Sequence, residues 1–299
     1  MKHYFIFNPK AGEKSKSKEV LETIKSYINE RDTFLYFTKA QKDATKYVEN
    51  IIAENKDEKL HFIACGGDGT VNEVFTPCVD KENIYLSILP CGSGNDFVKC
   101  FTKRDVDTIM SLKEEDALKI DILKVNDYYC FNILNFGFDT TVACKVQQDR
   151  EKRGNGSKLA YLKGVIYALS KSLHYKGTVL VDGVKLNQND EFLLCTCANG
   201  RYVGSMFKCS PLAKLDDGLI DVCCVKPLSR LKFITLVSAY AKGEHLINPK
   251  FKKYVSYKQG KKVEITTSND FAYSLDGEII YGEKLVVELK EKALNILMK

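Results

Sequence analysis

No run of 18 apolar residues occurs anywhere in the 299-residue chain, which excludes a conventional membrane-spanning helix. None of the eleven cysteines forms a C-x-x-C pair and no histidine stands at ligand spacing, so the common zinc frameworks are excluded too. There is no internal repeat and no low-complexity tract, which removes solenoid and linker-like architectures. Nor is there a block of like charge: the net charge of +6 is spread through lysines, so a basic nucleic-acid arm is absent and no nucleic-acid partner is expected. The mild excess fits an anionic partner such as a nucleotide or an acidic membrane surface. The opening apolar stretch, Tyr4–Phe7, is too short for a signal peptide. The expectation is a cytoplasmic protein whose cysteines (Cys65, Cys130, Cys195, Cys197, Cys223, Cys224) are small buried hydrophobes.

What the chain does have is Gly66-Gly67-Asp68-Gly69-Thr70, preceded by the apolar run Leu60–Cys65 and followed by Val71, Val74 and Phe75 at helical spacing. Strand, glycine turn and helix together make a phosphate-binding arrangement. Glycines let the backbone approach an anion, and the helix start offers unpaired N–H groups at the positive end of its dipole. Asp68 would repel a bare phosphate and makes better sense holding magnesium against a nucleotide. The plainer alternative is an ordinary strand-to-helix turn with an Asp cap.

Around this stretch strands alternate with helices. Tyr4–Phe7 ends at Asn8-Pro9 and a small basic loop with Lys10. Thr33–Phe37 ends at Thr38, Leu60–Cys65 at the glycine turn, and Leu86–Leu89 at a second glycine turn, Pro90-Cys91-Gly92-Ser93-Gly94-Asn95-Asp96. This alternation predicts a parallel sheet with Asn8, Thr38 and Asp68 at one carboxyl edge. After about residue 116 the texture changes to short strands punctuated by Asn126-Asp127, Asp182-Gly183, Asp217-Gly218 and Asp276-Gly277. Predicted strands are 120–125, 128–134, 178–181, 192–198, 219–225, 262–267, 272–275 and 284–289. Helices are expected at 139–148, from Leu159 to Leu173, and at 229–242. The fold class is therefore α/β: a nucleotide-binding parallel-sheet domain over 1–120, with 290–299 returning to it, and a β-rich, sandwich-like domain of two packed sheets over 121–289.

Five motifs stand in order: Asn8-Pro9-Lys10-Ala11-Gly12, Gly66 to Glu73, Gly92-Ser93-Gly94-Asn95-Asp96-Phe97, Asp217-Gly218-Leu219-Ile220-Asp221-Val222 and Leu275-Asp276-Gly277-Glu278. Over nearly the whole chain they resemble the diacylglycerol kinase catalytic-domain family, above all its soluble bacterial lipid kinases, to which sphingosine kinases are related. The resemblance implies a two-domain enzyme that binds ATP in a cleft through the N-terminal domain and approaches a lipid from the other. Asn8, Lys10, Thr38, Gly66, Gly67, Asp68, Gly69, Thr70, Val71, Asn72 and Ser93 would contact the nucleotide. The family commonly has Thr where Ser93 stands, and both offer one hydroxyl. Glu278 would be the general base, with Asp276 beside it. Asp217, with the backbone carbonyls of Lys214 and Leu219, would hold a structural Mg2+, Asp216 being the alternative ligand. Asp96 would stand near the substrate hydroxyl or a metal-bound water, unless it only caps a short helix.

Each acidic motif has a plain alternative: a hairpin turn for Asp276-Gly277-Glu278, an empty turn for Asp216-Asp217-Gly218. The expected partners are ATP, a membrane lipid met at the inner face of the bilayer, and a second copy of the chain in a homodimer. Lys152, Arg153, Lys158 and the 250–254 segment are candidates for resting on anionic headgroups. The rival readings are an NAD kinase, whose family shares the Gly-Gly-Asp-Gly turn, and a non-catalytic nucleotide or lipid binder.

Overall fold

The computed structural model describes residues 1–12, 14–28, 32–92, 94–103, 105–153 and 158–298, without the side chains of 14–17, 150–153, 158–161 and 269–270. The chain divides into two units, Met1–Ile122 with Glu291–Lys299, and Leu123–Lys290.

The first unit contains strands β1 (Lys2–Phe7), β2 (Thr33–Phe37), β3 (Leu60–Gly66) and β4 (Ile84–Pro90), with helices α1 (Lys14–Tyr27), α2 (Asp43–Glu54), α3 (Asp68–Phe75) and α4 (Val106–Ser111) between or after them. The strands are parallel in the order β4-β3-β1-β2. Every residue of β3 is buried, which is why its sequence is a continuous apolar run rather than an alternation: helices cover both faces of such a sheet. The last residues of the chain return here, with Asn295 and Ile296 pairing parallel to Tyr85 and Leu86 of β4.

A buried polar chain ties that returning strand to the sheet. Ser87 Oγ donates to the Leu297 carbonyl at 2.7 Å, so it accepts from His61 Nε2 at 2.8 Å. His61 Nδ1 is then the acceptor for His3 Nδ1–H at 3.0 Å. The direction of donation thus assigns both tautomers and keeps His61 neutral.

The second unit contains β5 (Leu118–Val125), which runs in from the first, then β6 (Tyr128–Cys130), β7 (Ile133–Gly137), α5 (Phe138–Arg153), α6 (Lys158–Ser170), β8 (Tyr175–Lys176), β9 (Thr178–Val181), β10 (Val184–Lys185), β11 (Glu191–Phe192) and β12 (Leu194–Ala198). They are followed by β13 (Ile220–Val225), α7 (Arg230–Ala241), β14 (Val255–Gly260), β15 (Lys262–Leu275) and β16 (Glu278–Ile296). Pairing is antiparallel in the order β14-β13-β12-β7-β15. One core, with Leu134, Phe136, Phe192, Val222, Ile265 and Tyr273, lies on one side of these strands. A second, with Ile133, Phe138, Leu194, Phe233, Leu236 and Tyr240, lies under α5 and α7.

Several predicted elements are corrected. The strand expected over 128–134 breaks at Phe131–Asn132, because those N–H groups are taken by the Asp276 carboxylate instead of a neighbouring strand. The strand expected over 192–198 breaks at Leu193, whose N–H donates to Val225 and whose carbonyl accepts from Phe138. The separate strands at 262–267 and 272–275 are one strand, β15, with a register shift between Thr266 and Phe271. Its first part pairs β9 and its last part β7. Strand β14 falls in a Lys- and Tyr-rich stretch that shows no apolar alternation.

Burial holds the His61 imidazole well below its ordinary pKa, with the neighbouring His3 adding to the effect. The unfolded chain therefore takes up a proton near pH 6.5 that the folded chain refuses, and the stability present above 6.5 is lost as pH falls. The stability difference between the wild type and a His61→Asn variant, measured by denaturant unfolding, is expected to shrink by about 1.4 kcal/mol per pH unit below 6.5. A constant difference from pH 7 to 5 would contradict the neutral assignment.

Candidate active site

Parallel pairing sets the strand ends of the first unit level. Phe7 is in register with Phe37 and with Cys65, and Gly66 with Pro90. Asn8, Thr38, Gly67 and Cys91 therefore leave the sheet at one edge, where Asn8 N donates to the Cys65 carbonyl and Thr38 N to the Phe7 carbonyl. Asn8 Nδ2 reaches Thr70 Oγ1 at 3.1 Å, and Asn8 Oδ1 accepts from Lys10 N at 3.0 Å, shaping the first loop around the start of α3.

Two of the glycines in these loops are required by space. A Cβ on Gly92 would stand 2.4 Å from the Gly67 Cα, and one on Gly12, at φ +67°, would overlap the Cys91 carbonyl. The Gly66 carbonyl accepts from both Cys91 N and Gly92 N. At Gly12, Gly67 and Gly92 the three loops are packed backbone against backbone. Among the described residues no side chain caps α3 at Gly67, and the Val71 side chain is core.

Asp68 reaches the loop after β4. Its carboxylate accepts from Asp96 N at 2.9 Å and from Phe97 N at 3.2 Å, and so caps the 3-10 turn Phe97–Cys100 from outside. Asp96 occupies the cap position of that turn, yet its own carboxylate pairs with Lys99 at 2.6 Å. Ser93 lies outside the described residues. Asp121, which sequence reasoning missed, is buried and accepts from Lys292 N at 2.8 Å. A lone Asp between Ile120 and Ile122 on a strand was the available signal.

In the second unit, Asp276 and Gly277 form a two-residue turn with φ +49° and +95°, the type I′ geometry that suits a tight hairpin, and Leu275 pairs with Glu278 across it. The Asp276 carboxylate accepts from the amides of Phe131 (2.7 Å), Ile133 (2.9 Å) and Asn132 (3.0 Å), and from the Cys130 thiol. Burial pushes this carboxyl above its ordinary range, and those four donors pull it back. Glu278, two residues on, is exposed, and no hydrogen bond or ion pair reaches its carboxylate among the described residues. The turn thus presents one acid and anchors itself with the other.

Asp217 is exposed, with Leu219 N donating to its Oδ1 at 3.2 Å and Gly218 at φ +73°. Behind it Asp221 is buried, bonded by Tyr257 and Gln259. Burial raises the Asp221 carboxyl, these donors lower it, and the charge of Asp217 raises it further. Two mutually repelling carboxylates and hard oxygen donors on a tight turn fit a small divalent cation. Lys214 and Asp216 are exposed on the same segment. No cluster of three or more His, Cys, Asp or Glu able to hold a metal occurs among the described residues.

Comparison with known proteins adds the following. Residues 2–125 match the family model described as diacylglycerol kinase catalytic domain, and residues 132–298 match that of the YegS C-terminal NAD kinase beta sandwich-like domain. Curated relatives named diacylglycerol kinase in Staphylococcus aureus strains RF122 / ET3-1 and MRSA252 are each 29% identical over 289 residues, covering 94% of this chain and 86% of theirs. The crystal structure of a diacylglycerol kinase from Bacillus anthracis strain Sterne superposes with a TM-score of 0.70 at 22% identity, covering 100% of this chain and 97% of that one, which is a likeness of fold.

The loop packing makes a direct prediction. Gly92→Ala should lose about 1–3 kcal/mol in denaturant unfolding, since backbone must move to admit the methyl. Gly69→Ala, whose Cβ meets nothing within 4 Å, should stay near wild-type stability. Equal stability of the two variants would refute the backbone-to-backbone contact.

Proposed function

Since the chain belongs to the diacylglycerol kinase family, we propose that it transfers the γ-phosphoryl of Mg–ATP to the free hydroxyl of a lipid alcohol, diacylglycerol being the substrate its relatives are named for. The observation that carries this reading is the uncapped start of α3 among level glycine loops, a cradle for phosphate. Asn8, Thr38, Thr70, Asn72 and the backbone from Gly66 to Val71 line the nucleotide in this proposal, Lys10 adds positive charge, and Ser93 adds a hydroxyl. Asp68 keeps the two glycine turns in register through Asp96 N and Phe97 N and, in this proposal, stands beside the metal that accompanies ATP.

Glu278 is the proposed general base. Its carboxylate takes the proton from the lipid hydroxyl as that oxygen bonds to the γ-phosphorus and the bond to the β–γ bridging oxygen breaks, releasing ADP. Its exposure and its lack of a partner among the described residues support this role, and the cradle around Asp276 supports a positioning role for the neighbouring acid. Asp96 is placed by this reading near the substrate hydroxyl. Asp217, with the carbonyls of Lys214 and Leu219, would hold a structural Mg2+, whose chemistry is charge neutralisation beside Asp221.

No helix among the described residues is long and apolar enough to cross a membrane. The proposal of peripheral attachment rests on exposed Leu231 (79%) and Ile234 on α7 and Ile247 (78%), with Lys232, Lys250, Lys252 and Lys253 nearby. The side chains of Lys152, Arg153 and Lys158 lie outside the described residues.

Labelled ATP and magnesium, offered with detergent-dispersed diacylglycerol, a sphingoid base or NAD, test the reading: label should pass to an organic-soluble product. Label only in NADP would favour the NAD kinase alternative, and label nowhere a binder. Glu278→Gln should lower turnover by roughly 10²–10⁴-fold with stability unchanged. Asp276→Ala should also cost stability, about 1–3 kcal/mol for each amide left unpaired. Wild-type turnover in Glu278→Gln would end the base assignment.

A further inference from the structure

Parallel register lays four residues in one row at the carboxyl ends of the first unit's strands: Phe37, Phe7, Cys65 and Leu89. Phe7, Cys65 and Leu89 are buried, whereas Phe37 is 41% exposed. Its place on β2, the end strand of the sheet, does not by itself account for this. Thr33, on the same face at the other end of β2, is only 6% exposed, and Leu35 between them is half-buried. Cover thus falls away toward the carboxyl end, and the Phe37 ring forgoes the burial that favours every other member of its row.

The ring is nevertheless held in place. Phe7 meets it edge to face, with centroids 5.6 Å apart and planes at 68°. The preceding residue, Tyr36, points to the opposite face of β2, where it stacks on Tyr47 of α2 with centroids 3.7 Å apart. The amide of the following residue, Thr38, donates to the Phe7 carbonyl. Phe37 therefore stands beside Thr38 and one strand from Asn8, both of them in the proposed nucleotide site. The start of α3 leaves β3, which lies two strands from β2, about 10 Å at roughly 4.8 Å per strand. A flat, apolar, fixed and partly wet surface at that distance from the glycine loops has the properties of a base-stacking platform.

We propose that Phe37 is the platform on which the nucleobase of the phosphoryl donor stacks. This rests on the lipid-kinase reading and extends it to recognition of the donor's base. A phenyl face attracts any purine through dispersion and burial and reads no hydrogen-bonding edge, so the contact strengthens binding of adenine and guanine nucleotides alike. Recognition of the phosphates belongs to the glycine loops and is independent of it. Phe37 touches no reacting atom in this assignment, so it lowers KM for the donor without raising turnover.

The test uses the full-length protein with Phe37→Ala, Phe37→Trp and, as a control, Phe34→Ala, which removes a ring of similar exposure (42%) from the other face of the same strand. Phe37→Ala is expected to raise KM for ATP and for GTP by roughly 5- to 150-fold while kcat stays within about twofold, and Phe37→Trp to keep both near wild type. Calorimetric titration with ADP should follow the KM changes. Inhibition by magnesium tripolyphosphate, which carries no base, should be the same in all variants. A wild-type affinity for ADP in Phe37→Ala would overturn the proposal, as would an equal loss of tripolyphosphate inhibition, or the same loss of ADP affinity in Phe34→Ala. Should Phe37→Ala fail to fold, Phe37→Leu, which keeps apolar bulk without the flat ring, is read by the same titrations. If the wild type phosphorylates no lipid yet binds ADP, and Phe37→Ala binds it more weakly, the kinase reading fails while the stacking assignment stands. A wild-type protein with no affinity for ADP would end both.

Discussion

Contact of main chain with main chain, without intervening side chains, governs the first unit. The loops after β1, β3 and β4 meet at Gly12, Gly67 and Gly92, and the Gly66 carbonyl receives two amides from the loop after β4. That closeness is possible only where Cβ is missing, and among the described residues no side chain caps the start of α3. Parallel pairing brings the strand ends level, glycine lets the loops close on each other, and the proposed anion site stands where they meet.

Carboxylates serve a second purpose throughout the molecule: they bind backbone amides that no strand or helix can use. Asp68 caps the turn at Phe97, Asp121 holds Lys292, Asp182 holds Lys261 and Lys262, and Asp276 holds Phe131 to Ile133. Each such bond is charge-assisted and stronger than a neutral one, so a single side chain can fix a loop. Glu278 stands apart as an exposed acid with none of these attachments. Residues that a motif presents as a chemical pair thus divide into one that is available and one that is engaged.

Much of the architecture was legible in the residues. The apolar runs before Asn8, Thr38, Gly67 and Cys91 marked four parallel strands, and the helix expected over 229–242 is found over 230–241. Where the reading went astray, a distant partner had intervened. The 128–134 strand breaks because Asp276, some 145 residues away, claims its amides. The two short strands at 262–275 are one because β9 and β7 pair with its successive halves. Local pattern carries no trace of such partners.

The sequence by itself determined which positions have no side chain, which runs are apolar and which turns are acidic, because these are properties of single residues and their nearest neighbours. From them came the α/β class, the phosphate-cradle motif and the family. Only the tertiary structure decided that Asp68 binds the amides of Asp96 and Phe97 and that Asp276 is enclosed by the amides of Phe131 to Ile133. Those outcomes depend on which donors distant segments bring to a carboxylate, and hydrogen bonds act over about 3 Å of space regardless of separation along the chain.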